Sequence, residues 1–311
     1  MTFPDDREAI ERSSFFNEKW YYSIELIPGL FTQGANHRNL GLTRDLLKRC
    51  EVKDRRCLDI GTMEGAVPIL LSRRGAGPIV AVDISYRERI AAVKHYTGAR
   101  FDYHSGLTHG NTVSFLRSQG VVNFDVVVLS GVLYHCFGPL HTLAMARSLI
   151  RTGGLMIVET FAVVDEQYAM FFNARGFFTP DPSTYFLPSI ALLEYLLRYF
   201  KLTPLATVHG QPSQTGPHRL TRIAVACRAT NEIGAKDDPW MEAATGIVDY
   251  VTLIEWDLID QSGADPPAFE APPRRLPVAD ADTCDVVRTV LESPPLPLGE
   301  NVARIGLTDL Y

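Results

Sequence analysis

The sequence predicts an α/β protein with a doubly wound, mostly parallel sheet whose final strand is antiparallel. The first observation is an alternation of short apolar runs with helix-like stretches; the runs cover residues 57–60, 79–84, 124–130 and 155–161. Near-continuous apolar runs of this length are typical of parallel strands buried on both faces by helices. The second observation is a hairpin-like pair of strands, 202–209 and 221–227, joined by a Gly-, Pro- and Ser-rich loop at 210–220. This pair predicts the antiparallel end of the sheet.

Two helices of this sheet can be placed from the sequence. Pro139 suits the first turn of a helix, apolar residues then follow at helical spacing, and Gly153-Gly154 are predicted to stop the helix. A second helix is predicted to open at Pro188-Ser189 and to run to Phe200.

Composition and charge limit the class of protein. The 311 residues are 46% hydrophobic and 21% charged, which is typical of one large or two small globular domains. Thirty basic against 36 acidic residues leave a net charge of −6, which argues against a nucleic-acid or anionic membrane partner. Five scattered cysteines without a CxxC pair, no long apolar run and no signal-like start predict a cytoplasmic protein.

Three segments are predicted along the chain. Residues 1–50 are rich in aromatic residues and are expected to form helices and a partial lid over the cofactor, with an amphipathic helix packed on the sheet as the alternative. Residues 51–228 are expected to form the sheet domain. Residues 229–311 are expected to form a partly helical, Pro-rich extension, and the eight prolines between Pro266 and Pro297 predict no packed helix or strand over 266–297. Within the extension, residues 239–260 are predicted to form a helix suited to a homodimer interface.

A glycine turn joins the first strand to the helix that follows it. Gly61 and Gly65 lie in this turn, Asp59 precedes it, and Asp83 ends the next strand. Glycines allow close approach of a ligand, a helix start offers free N–H groups, and the second acid suits ribose hydroxyls. The order favours a nucleoside-bearing cofactor over the alternative that the glycines only make a tight turn.

The spacing of the turn separates two classes of cofactor. A dinucleotide site expects G-x-G-x-x-G, which Gly-Thr-Met-Glu-Gly does not match. With Asp59 two residues before Gly61, the turn instead resembles motif I of class I S-adenosylmethionine (SAM)-dependent methyltransferases, Asp-x-Gly-x-Gly-x-Gly, with Met63 at the middle glycine. The resemblance implies a Rossmann-like fold and SAM as cofactor.

Three further motifs narrow the resemblance: Trp20 to Gly34, Gly-Val-Leu-Tyr-His at 131–135, and Thr-Tyr-Phe-Leu-Pro-Ser at 184–189. Over about residues 15–228, the chain resembles the branch that includes the bacterial tRNA wobble-uridine carboxymethyltransferases and related small-molecule methyltransferases. The turn and this resemblance imply as cofactor contacts Asp59, Gly61, Thr62, Gly65, Asp83, Ile84, Ser85, Ser130 and Tyr134.

The transferred group is expected to be methyl rather than carboxymethyl. The carboxymethyltransferases place lysines and a tryptophan before motif I to hold the extra carboxylate of their cofactor. Here no lysine lies between Lys19 and Lys48, and no tryptophan follows Trp20 before the turn. An unpaired carboxylate in a closed site is costly, so plain SAM is favoured.

Two side chains are candidate general bases. His135 and Glu159 each follow or end a strand at the edge where substrate should lie. The alternatives are a histidine that packs in its turn and a carboxylate that caps a helix or forms a salt bridge. His104 and His109 are five residues apart, which is poor evidence for a metal, and no metal site is predicted.

The leading hypothesis is a SAM-dependent methyltransferase that transfers methyl to oxygen or nitrogen of a small molecule, natural-product intermediates included, by in-line displacement. One alternative is a tRNA wobble-uridine methyl- or carboxymethyltransferase, which the net charge of −6 and the missing lysines disfavour. The other is a methyltransferase-like binding protein without turnover, for which Met63 in the glycine turn is the support.

Overall fold

The computed structural model of the protein describes residues 3–35, 40–230, 265–270, 285–297 and 305–306. The helices are α1 (Arg7–Arg12), α2 (Ser14–Asn17), α3 (Gly41–Lys48), α4 (Ala66–Arg73), α5 (Arg89–Thr97), α6 (Thr112–Ser118), α7 (Pro139–Leu149), α8 (Ile190–Tyr199) and α9 (Asp285–Glu292). The strands are β1 (Glu25–Ile27), β2 (Leu30–Phe31), β3 (Cys57–Ile60), β4 (Ile79–Asp83), β5 (Asp102–Ser105), β6 (Phe124–Ser130), β7 (Ile150–Val163), β8 (Met170–Phe172), β9 (Phe186–Pro188), β10 (Leu202–His209), β11 (Ser213–Thr215) and β12 (His218–Ala229).

The central sheet has the strand order β10-β12-β7-β6-β3-β4-β5, and β11 extends it by pairing with β12. Strands β5, β4, β3, β6 and β7 run parallel, whereas β12 is antiparallel to both β7 and β10. The predicted fold class, a mostly parallel sheet that ends antiparallel, is therefore confirmed. The predicted strands at 57–60, 124–130 and 202–209 coincide with β3, β6 and β10.

Both faces of the sheet are buried, because successive residues of each strand pack into different cores. Leu58 belongs to the cluster formed with α6, α7 and α8, whereas its neighbour Cys57 belongs to the cluster formed with α3, α4 and α5. This two-sided burial explains why the parallel strands are continuous apolar runs rather than alternating ones.

The predicted end of α7 is wrong. The helix ends at Leu149, and Gly153-Gly154 lie inside β7, which begins at Ile150. Ile150 is buried and pairs with Phe124, and the register between β6 and β7 shifts after this pair. A Cβ on Gly154 would lie 3.0 Å from the carbonyl oxygen of Asp125, so the glycine allows close approach of two strands. The start of α8 is as predicted, since the Ser189 side chain accepts from Leu192 N.

The predicted loop at 210–220 also contains a strand. β11 pairs with β12 in a tight hairpin, with Ser213 opposite Leu220 and Thr215 opposite His218. Gly216, at the turn, has a φ of +55°, which a glycine adopts at little cost. A short hairpin thus extends the antiparallel end of the sheet.

The expectation of no packed helix or strand among the C-terminal prolines is wrong. Helix α9 lies between Pro277 and Pro294, where the sequence has no proline. Its Val286, Val287 and Val290 are buried in the core that α8 also lines, and this burial favours the helix. The buried carboxylate of Glu194 accepts hydrogen bonds from the backbone N–H groups of Asp285 and Val286 at the start of α9. The predicted helix at 239–260 lies outside the described residues.

Candidate active site

The glycine turn after β3 has the conformation that its sequence predicts. Gly61 and Gly65 have φ values of +78° and +82°, in the left-handed region that favours glycine. A Cβ on Gly61 would lie 2.2 Å from Cγ2 of Val132, so only glycine fits there. Gly65 precedes the first residue of α4. The backbone N–H groups of Gly61 and Thr62 donate to Val82 O and that of Gly65 donates to Thr62 O, so hydrogen bonds within the protein fix the shape of the turn.

Met63 adopts a glycine-like conformation in this turn. Its φ is +51°, a region that side-chain-bearing residues rarely occupy. Its backbone N–H donates to Oδ2 of Asp83 at 2.9 Å. The turn therefore keeps its shape although a methionine replaces the middle glycine of the motif.

Asp59 is a buried carboxyl group at the end of β3. Burial, with the charge of Asp83 as a further cause, raises the pKa of Asp59 to about 7. The Thr62 side chain lies near enough to Asp59 to oppose this rise, but Asp59 Oδ2 and Thr62 Oγ1 are both buried and neither makes a hydrogen bond of good geometry among the described residues. Because buried polar atoms in native proteins are normally hydrogen-bonded, this pair has the chemistry to receive a polar, cationic ligand group.

Asp83 ends β4 and is also buried. Its Oδ2 accepts from Met63 N, and its Oδ1 accepts from Ser85 N at 2.9 Å, with Arg87 Nη2 at 3.6 Å. Each oxygen has a second lone pair for a further donor. The next residue, Ile84, is 66% exposed, so an apolar side chain projects beside this carboxylate.

The N-terminal segment 20–34 is tied directly to the glycine turn. The buried carboxylate of Glu64 accepts hydrogen bonds from the backbone N–H groups of Tyr21 and Tyr22, each at 2.8 Å, and forms an ion pair with Arg89 at 3.0 Å. Burial raises the pKa of Glu64, although these hydrogen bonds oppose that shift. The segment predicted as a lid is thus in contact with motif I.

Tyr22 brings this segment to the other candidate side chains. Burial raises the pKa of its hydroxyl well above the usual range, and the nearby charges of Tyr21, Asp59, Tyr134 and Glu159 add to the shift. The buried residue Ile305 also contacts this segment, since its carbonyl oxygen accepts from Glu25 N at 2.9 Å.

Glu159 is fully buried at the carboxyl edge and forms a bidentate ion pair. Arg222 Nε donates to Oε1 at 2.7 Å, and Arg222 Nη2 donates to Oε2 at 2.8 Å. The same Nη2 lies 3.1 Å from the Tyr134 hydroxyl, whose pKa burial raises. Ser130 Oγ lies 3.4 Å from Glu159 Oε2 and 2.7 Å from Thr43 Oγ1. The geometry favours the salt-bridge alternative for Glu159.

Sequence reasoning missed Arg222. It lies on β12, 63 residues after Glu159, and the two meet because β12 pairs antiparallel with β7. The predicted hairpin already indicated the strand that carries Arg222. A single arginine in an apolar strand, however, does not show which side chain it will contact.

His135 lies in the 3₁₀ turn Leu133–His135 after β6 and has one ring nitrogen held by the protein. Its Nδ1 lies 2.9 Å from the carbonyl oxygen of Ser183 and 3.0 Å from Ser183 Oγ. A carbonyl oxygen only accepts, so Nδ1 carries the proton in the neutral ring and Nε2 is the basic nitrogen. Among the residues that the structure describes, no hydrogen bond to Nε2 is formed.

Asp181 completes this arrangement. Its Oδ1 accepts from the hydroxyl of Ser183 at 2.6 Å and from Ser183 N at 2.9 Å. Burial raises the pKa of Asp181, but the two hydrogen bonds from Ser183 and the charge of His135 outweigh burial and lower it. A carboxylate therefore orients Ser183, which in turn holds the imidazole.

The other two histidines considered from the sequence have ordinary surroundings. His104 packs edge-on against Phe115 with ring centroids 5.0 Å apart, and His109 lies 5.9 Å from the ring of His141. In the described ranges, no three His, Cys, Asp or Glu side chains are grouped to hold a metal, and no helix has the length and apolarity to cross a membrane.

Comparisons with known proteins agree with this geometry. The family model described as a methyltransferase domain matches residues 35–197, which is more than half of the 311-residue chain. The tRNA U34 carboxymethyltransferase of Chromohalobacter salexigens is 29% identical over 173 residues, 55% of this chain and 51% of that protein. The enzyme of the same name from Dichelobacter nodosus is 31% identical over 144 residues, 46% of this chain and 44% of that protein. The chain spans about half the length of these curated relatives.

Among solved structures, the fold is similar to the N-terminal domain of EvdMO1 in the presence of SAH and D-fucose. The TM-score is 0.51 at 18% identity, over 72% of this chain and 97% of that domain. This structural likeness supports the fold, and the match to the family model identifies the family. The chain belongs to the methyltransferase domain family, as a class I, SAM-dependent member.

Proposed function

We propose that the protein transfers a methyl group from SAM to an oxygen or nitrogen atom of a small molecule, with His135 as general base. The observation that carries this proposal is the bond from His135 Nδ1 to the Ser183 carbonyl, which leaves Nε2 as the basic nitrogen at the carboxyl edge of the sheet. A cytoplasmic location belongs to the same proposal.

The cofactor would be held by the residues around the glycine turn. Asp59 and Thr62, with their unpartnered buried oxygens, suit the ammonium group of its methionyl part. Asp83 has lone pairs for ribose hydroxyls, and exposed Ile84 offers an apolar surface to the adenine. When bound, SAM supplies an electrophilic methyl group on a sulfonium whose carbon–sulfur electron pair stays on sulfur after transfer.

The chain's own residues orient the acceptor and remove its proton. His135 Nε2 takes the proton from an acceptor hydroxyl or amine, and the imidazolium that forms is stabilised through Ser183 by the Asp181 carboxylate. The N-terminal segment, tied to Glu64, excludes water from the reacting groups.

Glu159 is proposed as a positioning residue rather than a base. Both of its oxygens accept hydrogen bonds from Arg222, so this fully buried carboxylate is already engaged in an ion pair. Through Arg222, Glu159 orients the Tyr134 hydroxyl at the same edge.

Carboxymethyl transfer to tRNA is the second candidate, because the curated relatives at 29% and 31% identity carry that name. Arg222 is a buried cation at the edge of the sheet, but its charge is neutralised by Glu159. The charge balance of this cluster therefore favours the uncharged methyl group of plain SAM.

Calorimetric titration with SAM, S-adenosylhomocysteine (SAH) and carboxy-SAM tests the proposal. We expect SAM and SAH to bind. Carboxy-SAM should bind at least tenfold more weakly, because an unpaired carboxylate in the site should weaken binding by about 1.4 kcal/mol or more. Tighter binding of carboxy-SAM would favour the tRNA candidate. With an acceptor in hand, His135→Ala should lower kcat by about 10²-fold or more while SAM affinity stays unchanged. Exposed His109→Ala is the control.

A further inference from the structure

A row of aromatic side chains lies exposed on the surface next to His135. Phe137 is 75% exposed, Phe172 is 53% exposed and Tyr185 is 36% exposed. Single exposed apolar residues are ordinary, but a contiguous group marks a place where a ligand or partner binds. We call Phe137, Phe172, Tyr185 and Phe186 the aromatic row.

The rings of the aromatic row contact one another. Phe137 meets Tyr185 at 5.9 Å between ring centroids and Phe186 at 6.0 Å, both edge-to-face. Phe186 in turn lies 5.2 Å from Phe172. Edge-to-face contacts leave ring faces and edges available to a further ring, and aromatic pairs of this spacing attract beyond their area.

Two members of the aromatic row lie close in sequence to His135, the candidate base, and to Ser183, which holds it. Phe137 follows His135 by two residues, and Tyr185 follows Ser183, the residue that holds His135 Nδ1, by two residues. The backbone N–H of Tyr185 donates to Tyr134 O at 2.8 Å, which joins the two segments beside the imidazole. The aromatic row is therefore carried by the same two segments that hold the candidate base.

We propose that the aromatic row binds the methyl acceptor and that this acceptor is a planar aromatic compound with a phenolic hydroxyl. The inference rests on the proposed function. Aromatic rings bind other rings by edge and face contacts without charge, whereas a flexible polar acceptor gains little from such a surface. A phenolic proton, with a pKa near 10 in the free group, passes to His135 Nε2, and the oxygen that loses it is the methyl acceptor.

Calorimetry on the full chain with SAH present tests this inference with phenol and 2-naphthol as probes. Their saturated counterparts, cyclohexanol and decahydro-2-naphthol, have similar size and a hydroxyl but no ring faces. We expect the aromatic probes to bind at least tenfold more tightly than the saturated ones. Phe137→Ala should weaken 2-naphthol about fivefold to tenfold, because aromatic contacts contribute about 0.5–1.5 kcal/mol each. Phe137→Tyr should restore binding.

Leu291→Ala is the matched control, since Leu291 is a 47% exposed apolar residue on α9. It should leave probe binding unchanged, and unaltered SAH affinity in Phe137→Ala shows that this variant is folded. Equal affinity for aromatic and saturated probes, or unchanged 2-naphthol binding in Phe137→Ala, overturns the inference. A dimer in sedimentation that Phe137→Ala dissociates also overturns it, because the row is then an interface between copies. Failure of the wild-type protein to bind SAH would instead contradict the proposed function.

Discussion

The backbone N–H of Met63 donates a 2.9 Å hydrogen bond to Oδ2 of Asp83, which links the turn after β3 to the end of β4. The other oxygen of Asp83 accepts from Ser85 N. One buried carboxylate therefore holds two backbone turns in addition to its predicted role toward the ribose. A substitution of Asp83 should change both stability and cofactor binding.

Asp83→Ala should abolish detectable SAM binding and lower the free energy of unfolding by about 3–6 kcal/mol. Two backbone donors lose a charged acceptor, and hydrogen bonds to charged groups are worth about 1.5–3 kcal/mol each. Urea denaturation and SAM titration measure the two effects. Asp102→Ala, an exposed aspartate at the start of β5, is the control. A stable variant that has lost only SAM binding would contradict the structural role.

Substitutions of Met63 test whether the methionine closes the site. Met63→Gly should retain SAM binding and change the free energy of unfolding by less than about 1 kcal/mol, since glycine adopts φ +51° freely but loses more entropy on folding. Met63→Val should destabilise by about 1–2 kcal/mol, because a β-branched residue is strained at positive φ. If Met63→Gly gained SAM binding that the wild type lacks, the non-catalytic hypothesis would be favoured for this chain.

Asp59 should make stability depend on pH. Its folded-state pKa of about 7 lies above the ordinary 3.8, so the folded protein holds this proton more tightly than the unfolded chain. The contribution of Asp59 to stability is therefore largest below about pH 4 and is lost as the pH rises from about 4 to about 7, by at most about 1.4 kcal/mol per pH unit. Asp59→Asn should remove this loss. The free energies of unfolding of the wild type and the variant, plotted against pH, should therefore converge at low pH. If the two plots of unfolding free energy stayed parallel between pH 4.5 and 7.5, the raised pKa of Asp59 would be refuted.

Glu64→Ala should release the N-terminal segment from the glycine turn. The carboxylate accepts from Tyr21 N, Tyr22 N and Arg89, so its loss should cost about 2–4 kcal/mol and leave buried N–H groups unpaired. Hydrogen exchange of the two tyrosine amides should become at least tenfold faster. Glu18→Ala removes only the exposed partner of Arg89 and should leave both quantities nearly unchanged. Protected tyrosine amides in Glu64→Ala would show that other contacts hold the segment.

The Glu159–Arg222 pair should behave as a buried ion pair. Either Glu159→Gln or Arg222→Met should lower the free energy of unfolding by about 3–5 kcal/mol, because the remaining partner is left unpaired in the interior. The double substitution should recover a large part of that loss. Additive losses in this double-mutant cycle would show that the two side chains act independently.

The parts of the fold that the sequence predicted depend on short stretches of chain. The strand 124–130 is buried on both faces, so its apolar run was a direct signature, and the turn at Gly61 requires a residue without a Cβ. Proline density misled the prediction at α9, because a proline-free stretch of eight residues with buried valines was enough for a helix. Gly153-Gly154 were misassigned because a glycine pair serves a strand irregularity as well as a helix end.

By itself, the sequence determined the main strands of the sheet, the glycine turn and the chemical type of its acids, because these follow from local periodicity and backbone conformation. Only the tertiary structure decided which distant side chains meet. His135 and Ser183 are 48 residues apart, Tyr21 and Glu64 are 43 apart, and Glu159 and Arg222 are 63 apart. Glu159 meets Arg222 because β12 pairs antiparallel with β7, and the other two contacts join loop segments to the carboxyl edge of the sheet; the sequence of one short segment does not show which distant segment it will contact.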